Sequence, residues 1–176
     1  MSTRFRNTLG GQLEPFEPIE AGHVRMYSCG PTVYAPAHIG NFRSFVFADL
    51  VRRALLFSGV EVTWVMNITD VDDKIIRDAK AAGIEIGELT ARYTADFLED
   101  MARLGIPEPD AMPRATEHID DMVALIETLI EKGHAYQSED GSVFFRIASW
   151  PAYGALARID PEGQRSGERV ESDEYD

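Results

Sequence analysis

The sequence predicts an α/β fold with a parallel sheet, and three successive segments support this prediction. A short apolar run at residues 24–27 is typical of a strand. Apolar side chains then recur with a helical period over residues 44–58, and residues 60–68 are rich in the β-branched and aromatic side chains of a buried strand. Because a strand, a helix and a strand at this spacing form a right-handed crossover, we expect the two strands to be parallel neighbours.

The ends of these segments carry their own signals. Pro31 cannot donate a backbone hydrogen bond, so Gly30-Pro31 is expected to end the first strand. Ser44 is the predicted N-cap of the helix, and Ser58-Gly59 is its predicted C-terminal stop. A strand, a loop and a helix N-terminus therefore follow one another in that order.

Turn signals and apolar periodicity predict further elements on both sides of this unit. They are a hairpin over residues 5–16 turning at Gly10-Gly11, a helix carrying Ile75, Ile76 and Ala79, a helix over residues 86–104 ended by Gly105, a stiff connection at Pro107, Pro109 and Pro113, a helix capped by Thr116 and ended by Gly133, and a hairpin over residues 136–147 around Asp140-Gly141. The expected buried face of the helix capped by Thr116 consists of Ile119, Met122, Val123, Ile126 and Ile130.

Composition limits the classes of protein to consider. The 176 residues are 44% hydrophobic, enough for a core, and no apolar run approaches a membrane span, so a soluble cytoplasmic protein is expected. The formal charge of -13 argues against broad nonspecific binding of nucleic acid, and any RNA contact must be local. A single cysteine, Cys29, excludes an internal disulfide framework and leaves a free thiol or a metal ligand. For a lone cysteine at a strand end, a buried inert thiol is the usual alternative.

The loop between the predicted strand and helix has the features of an anion site. The unpaired N–H groups and the positive dipole at a helix N-terminus attract phosphate, and Gly40 would let an anion approach the backbone. His38 and Asn41 stand three residues apart, where both could donate hydrogen bonds to phosphate oxygens. The loop has neither the pattern of a P-loop nor that of a dinucleotide-binding glycine loop.

An acidic cluster follows the second predicted strand. A strand ending in Asp-x-Asp also occurs in haloacid-dehalogenase-like phosphatases, where Asp70 would be the nucleophile and Asp72 the acid. Lys74 departs from that pattern, and the phosphatase leaves the loop described above unexplained. The simpler interpretation is that Asp70, Asp72 and Asp73 cap and charge the start of the next helix.

Three motifs in order resemble a known family. CGPTVY at residues 29–34, HIGN at residues 38–41 and NITDVDDK at residues 67–74 are similar to the N-terminal part of the cysteinyl-tRNA synthetases, which are class I aminoacyl-tRNA synthetases. The similarity runs from about residue 7 to residue 158. It implies the first half of a Rossmann-like (HUP-type) parallel nucleotide-binding sheet, with the start of an inserted helix-plus-hairpin connective domain.

The resemblance also implies an activity and a set of site residues. The family uses ATP to activate cysteine as cysteinyl-adenylate and then transfers the cysteinyl group to tRNA(Cys), and a bound Zn²⁺ takes the substrate thiolate as a ligand. ATP would bind with Mg²⁺. The implied residues are His38 and Asn41 for catalysis, Gly30, His38, Gly40 and Asn41 for ATP, Cys29 and Thr69 for the amino acid, and Cys29 as the first zinc ligand.

Several features of the family do not appear in the sequence. There is no second cysteine, no late His/Glu pair and no Lys-Met-Ser-Lys-Ser loop, so the zinc site is expected to be incomplete. We expect a fragment or truncated paralogue that is inactive alone. The expected parts are the N-terminal half of the catalytic domain at 1–110, the start of the connective insertion at 111–160 and a mobile acidic tail at 161–176.

Two alternatives remain besides the phosphatase. The cysteine ligase of mycothiol synthesis shares the CGxTxY and TDxDD elements, although Asn41 and the DDK ending favour the synthetase. A non-enzymatic interaction domain is the other, because half a parallel sheet leaves an unpaired edge through which the chain could self-associate. A monomer is expected from the family.

Overall fold

The structure is a computed structural model that describes residues 3–157. The tail predicted at residues 161–176 lies outside this range. The described chain divides into two compact units, one comprising Glu17–Ile119 and the other comprising residues 3–16 together with 120–157. No helix among the described residues is both long enough and apolar enough to cross a bilayer.

The first unit contains two strands, three α-helices and a short 3-10 helix. They are β3 (His23–Ser28), α1 (Ile39–Phe57), β4 (Glu61–Met66), α2 (Asp73–Ala82), α3 (Ile86–Arg103) and the 3-10 helix Ala115–His118. The second unit contains β1 (Arg4–Asn7), β2 (Gln12–Pro15), β5 (Ala135–Gln137), β6 (Val143–Phe145) and the 3-10 helix Ile147–Ser149. Helix α4 (Ile119–Glu131) begins at the last residue of the first unit.

The predicted parallel unit is confirmed. Strands β3 and β4 pair in parallel, with His23 opposite Glu61 and Ser28 opposite Met66, and α1 connects them. Trp64 on β4 is fully buried, and its indole N–H donates to the Ser28 hydroxyl at 2.9 Å. The main hydrophobic cluster contains Val33, Phe42, Phe45, Ala48, Trp64, Met66, Ile68, Phe97, Met101 and Ile106.

A third segment lies along the other edge of β4, where the sequence predicted only a stiff connection. The Met66 N–H donates to the Ala111 carbonyl at 3.1 Å, and the Ile68 N–H donates to the Pro113 carbonyl at 2.8 Å. The Ala115 N–H returns a bond to the Ile68 carbonyl at 3.0 Å. Pro113 is tolerated because a proline can accept such bonds through its carbonyl. This segment therefore covers part of one of the two sheet edges, from Trp64 to Ile68.

Helix α1 begins earlier than predicted. Its N-cap is His38, which has extended backbone angles, and Ser44 lies within the helix. The predicted end is confirmed, because Ser58 is the C-cap and Gly59 follows with a φ of 86°. The start was missed because histidine is not among the residue types that usually cap helices.

Asp70 does not cap α2. It is only 3% exposed, and its carboxylate accepts hydrogen bonds from the Thr116 N–H at 2.9 Å and the Thr116 hydroxyl at 2.7 Å. Arg114 lies 3.8 Å from the same carboxylate. Thr116 is therefore bound inside the 3-10 helix and is not the cap of α4. The predicted capping of α2 holds for Asp72, which accepts from the Lys74 N–H at 2.9 Å, and for Asp73 in the first turn.

The predicted buried face of α4 is wrong. Its members are exposed by fractions that run from 38% for Ile126 to 47% for Val123, and α4 has no buried residue. An amphipathic pattern identifies the side of a helix that favours burial, but it does not establish that a covering element is present.

The predicted hairpin around Asp140-Gly141 is confirmed as β5 and β6. Asp140 accepts hydrogen bonds from the Ser138 hydroxyl, from the Ser142 N–H at 3.0 Å and from the Ser142 hydroxyl at 2.8 Å. These donors stabilise the charged form and lower the pKa of Asp140 from 3.8 to about 2.

Replacing Asp70 with asparagine should destabilise the protein, although the two side chains have the same shape. Asp70→Asn removes a buried charge that accepts two hydrogen bonds, so we expect the free energy of unfolding to fall by about 2 kcal/mol in urea titrations. Asp78→Asn is the matched control. Within residues 3–157, Asp78 forms its ion pair with exposed Arg77 on α2, so its replacement should cost under about 1 kcal/mol. Equal effects of the two changes would contradict the structural role given to Asp70.

The stability of the hairpin should decrease at acid pH, because Asp140 then becomes protonated. A carboxyl group whose pKa is lowered by folding stabilises the native state fully above its unfolded pKa, and that contribution disappears as the pH falls through the folded pKa. The stability difference between the protein and Asp140→Asn should therefore be constant above about pH 5 and vanish toward pH 2. Urea titrations across this range measure it. Glu139→Gln, at the neighbouring exposed acid, should not reproduce that pattern.

Candidate functional site

The start of α1 is organised by a reciprocal pair of hydrogen bonds between His38 and Asn41. The Gly40 N–H donates to Nδ1 of His38 at 3.0 Å, and the His38 N–H donates to Oδ1 of Asn41 at 3.0 Å. This is a capping box formed by His and Asn in place of the usual Ser/Thr and Glu/Gln. The spacing of three residues was the signal available in the sequence.

The capping box determines where the His38 ring carries its proton. Because Nδ1 accepts a hydrogen bond from a backbone N–H, the neutral ring must carry its proton on Nε2. In the same way, Oδ1 of Asn41 is occupied, which leaves the Nδ2 amino group as the donor. Neither Nε2 nor Nδ2 has a hydrogen-bond partner among the described residues, and both side chains belong to exposed residues. Two free donors therefore stand at the positive end of a helix.

The predicted seat of unpaired backbone N–H groups needs correction. The Gly40 N–H is bound by the His38 ring, and the N–H groups of Asn41 and Phe42 donate to the His38 carbonyl at 2.9 and 3.2 Å. A Cβ on Gly40 would lie 2.9 Å from Cε1 of His38. Glycine at position 40 thus makes room for the imidazole, and its predicted contact with ATP stays a prediction.

Cys29 follows the last residue of β3 and is exposed, so the alternative of a buried inert thiol is wrong. Its thiol approaches the Gly30 carbonyl at 3.7 Å. A Cβ on Gly30 would lie only 1.6 Å from the backbone carbonyl oxygen of Asn67, so this position accepts glycine alone. The close approach gives Gly30 a packing role, and its predicted contact with ATP is untested.

Asn67, which was not among the predicted site residues, connects the ends of the two strands. Its Oδ1 accepts hydrogen bonds from the Gly30 N–H at 2.9 Å and the Tyr27 hydroxyl at 2.8 Å. Its Nδ2 donates to the Thr69 hydroxyl oxygen at 3.0 Å. The available signal was an amide placed directly after a buried strand, opposite a glycine that follows the neighbouring strand.

The predicted site residues therefore fall into two hydrogen-bonded groups within one unit. Asn67 joins the Gly30 backbone, next to Cys29, to Thr69, and the capping box joins His38, Gly40 and Asn41. Both groups lie on the segments that leave the carboxyl ends of β3 and β4. In open parallel sheets this is the edge at which ligands bind.

The structure argues against the phosphatase alternative. Asp70 is nearly inaccessible, and both of its oxygens accept hydrogen bonds from Thr116. A nucleophilic carboxylate needs one free oxygen that a phosphorus atom can approach. Asp70 therefore has a structural role.

A zinc centre does not follow from the described residues. Across residues 3–157, no three side chains of the His, Cys, Asp and Glu types gather as a metal ion would require. Catalytic zinc commonly takes three protein ligands, and Cys29 supplies one thiol. The part of the chain described here does not by itself fit this metal.

Replacing Gly40 should disrupt the start of α1. In Gly40→Ala the new methyl group displaces the His38 ring from its cap, and loss of an N-cap costs about 1 kcal/mol of unfolding free energy. Gly87→Ala is the matched control, since a Cβ there meets no atom within 4 Å and alanine favours a helix by up to about 1 kcal/mol. In urea titrations, the free energy of unfolding should therefore fall for Gly40→Ala and rise for Gly87→Ala. A stabilising effect of Gly40→Ala equal to that of Gly87→Ala would show that the cap is dispensable.

Comparison with known proteins gives consistent results across most of the chain. A family model described as the catalytic domain of class I (C) tRNA synthetases matches residues 15–175. The cysteine-tRNA ligase of Solibacter usitatus is 52% identical over 176 residues, which is 100% of this chain and 38% of that protein. The cysteine-tRNA ligase of Koribacter versatilis is 49% identical over 176 residues, which is 100% of this chain and 36% of that protein. The chain thus spans just over a third of the length of these relatives.

A solved structure supports the fold. Methionyl-tRNA synthetase of Mycobacterium tuberculosis, in complex with methionyl-adenylate, matches with a TM-score of 0.58 and 19% identity over 70% of this chain and 26% of that one. This similarity shows a partial Rossmann-like fold. The matching family model and the two ligases show that the chain belongs to the cysteine-tRNA ligase family of class I aminoacyl-tRNA synthetases.

Proposed function

We propose that this chain forms the N-terminal half of the site in which a cysteine-tRNA ligase activates cysteine with ATP. The capping box of His38 and Asn41 is the observation that carries the proposal. Within residues 3–157 it leaves Nε2 of His38 and Nδ2 of Asn41 as free donors at a helix N-terminus. Such donors stabilise negative charge that develops on phosphate oxygens.

The proposed reaction is a displacement at the α-phosphorus of ATP. A cysteine carboxylate oxygen forms a bond to phosphorus, the bond from phosphorus to the bridging oxygen breaks, and pyrophosphate leaves as cysteinyl-adenylate forms. His38 and Asn41 would donate to oxygens on which charge increases during this step, and Mg²⁺ would accompany the ATP. Because the capping box already holds both side chains, little reorganisation would be needed when the charge develops.

The cysteine substrate is proposed to bind where β3 and β4 end. Cys29 is exposed there, and the Thr69 hydroxyl is held by Asn67. In the family, zinc favours a thiolate over a hydroxyl and so excludes serine. Cys29 is the proposed contribution of this chain to that zinc site, whose other ligands would have to come from outside the described residues.

The complete ligase would pass the cysteinyl group to the terminal ribose of tRNA(Cys), and we propose that it is a cytoplasmic monomer. The identity of about one half to proteins named cysteine-tRNA ligase favours this function over the cysteine ligase of mycothiol synthesis. The chain of 176 residues is proposed to be inactive alone, because the Lys-Met-Ser-Lys-Ser loop expected for the family is not in its sequence.

A chimaera tests this function. Residues 1–176 would replace the matching segment of the Solibacter usitatus ligase, and cysteine-dependent exchange of pyrophosphate into ATP would be measured. We expect exchange by the chimaera, none by the isolated chain, and a loss of about 100-fold or more when His38→Ala or Asn41→Ala removes a donor. His118→Ala, at an exposed histidine outside the site, is the matched control and should retain full exchange.

Two results would refute parts of the proposal. Full exchange by the chimaera carrying both His38→Ala and Asn41→Ala would exclude the assigned donors. Exchange catalysed by the isolated chain would refute its predicted inactivity.

A further inference from the structure

We propose that Asn67 is a positioning residue for cysteine recognition, because its amide fixes the turn after Cys29 and the Thr69 hydroxyl relative to each other. The proposal rests on the function proposed above. Its basis is the placement of one amide between the two residues that are expected to meet the amino acid. Asn67 itself lies one residue beyond the last paired residue of β4, Met66.

The hydrogen bonds use almost the full capacity of the amide. Both acceptor positions of Oδ1 are filled, by the Gly30 N–H at 2.9 Å and by the Tyr27 hydroxyl at 2.8 Å. One N–H of Nδ2 donates to Oγ1 of Thr69 at 3.0 Å. The side chain thus continues the contact between β3 and β4 past the point where their backbone pairing ends.

Backbone packing keeps this arrangement in place. A Cβ on Gly30 would overlap the carbonyl oxygen of Asn67 at 1.6 Å, so the two backbones touch directly. The Thr69 N–H donates to the Pro31 carbonyl at 3.0 Å, and the Val33 N–H donates to the Thr69 carbonyl at 3.1 Å. Movement of Thr69 relative to the turn at Gly30 would break several hydrogen bonds at once.

The direction of one hydrogen bond gives Asn67 a chemical effect beyond stability. Because Oγ1 of Thr69 accepts from Nδ2 of Asn67, the Thr69 hydroxyl hydrogen remains available for another acceptor. A carboxylate oxygen of an amino acid is such an acceptor. Asn67 therefore presents Thr69 to the substrate as a hydrogen-bond donor.

Asn67→Asp and Asn67→Ala separate this effect from a structural one. Asn67→Asp retains an oxygen that can accept from Gly30, but its second oxygen would take the Thr69 hydroxyl hydrogen for itself. Asn67→Ala removes both functions. Asn7→Asp and Asn7→Ala are matched controls, since Asn7 is an exposed asparagine on β1 that donates to Glu14 at 3.0 Å.

The first measurement is exchange of the Gly30 amide hydrogen, followed by NMR in the chain of 176 residues. Asn67→Ala should speed this exchange at least tenfold, and Asn67→Asp should restore it to within about threefold of the unsubstituted chain. Unchanged exchange in Asn67→Ala would overturn the proposal. Exchange in the Asn7 variants should not change.

The second measurement is the dependence of pyrophosphate exchange on cysteine and on ATP in the chimaera. Both Asn67 variants should raise KM for cysteine at least tenfold, with kcat and KM for ATP within about threefold. If Asn67→Asp restored KM for cysteine together with Gly30 protection, Asn67 would be merely structural and the proposal would be wrong. If the unsubstituted chimaera gave no pyrophosphate exchange, the proposed function would fail. The hydrogen bonding of Asn67 to the Gly30 turn would still be decided by the amide-hydrogen exchange of Gly30.

Discussion

The need to satisfy backbone hydrogen bonds at the start of α1 is the constraint on which the candidate site depends. His38 alone binds the N–H groups of Gly40, Asn41 and Phe42 through its ring and its carbonyl. Those bonds set the first residue of the helix, place the ring proton on Nε2 and require glycine at position 40. A single local requirement thus determines both the helix boundary and the donors that the site can offer.

A single residue also satisfies several hydrogen-bonding groups where the strands end. Backbone pairing of β3 and β4 stops at Ser28 and Met66, and Asn67 then takes over with side-chain hydrogen bonds. Groups that lie just beyond a parallel sheet would otherwise move with their loops. The amide and backbone contacts of Asn67 instead hold the Gly30 turn and the Thr69 hydroxyl at the carboxyl edge of the two strands.

The sequence could predict the elements that have a local sequence signal. The parallel unit and the two hairpins follow from apolar runs and glycine turns, and the structure contains them. The segment at residues 110–115 was missed. It joins β4 by backbone bonds, whereas Pro113 within it and Pro107 and Pro109 just before it are typical of a linker. The burial of α4 was wrongly predicted for a different reason, since periodicity contains no information about the partner. The sequence supplied candidate site residues within the three motifs, whereas the partners of their hydrogen bonds required the fold.

After β4, successive side chains alternate between two faces of an extended segment. This alternation explains why the motif at residues 67–74 begins with partly exposed and buried residues in turn. Asn67 and Thr69 are partly exposed and hydrogen-bonded to each other, whereas Ile68 and Asp70 are 1% and 3% exposed. Extended backbone, held by bridges from Thr69 to Thr32 and from Ile68 to Arg114, sends successive side chains to opposite faces. Asp70 therefore lies on the inward face, where only a satisfied carboxylate is stable. The acidic residue that looked most like a nucleophile is buried by its position in this alternation, and the neutral amide three residues earlier stays partly exposed by the same rule.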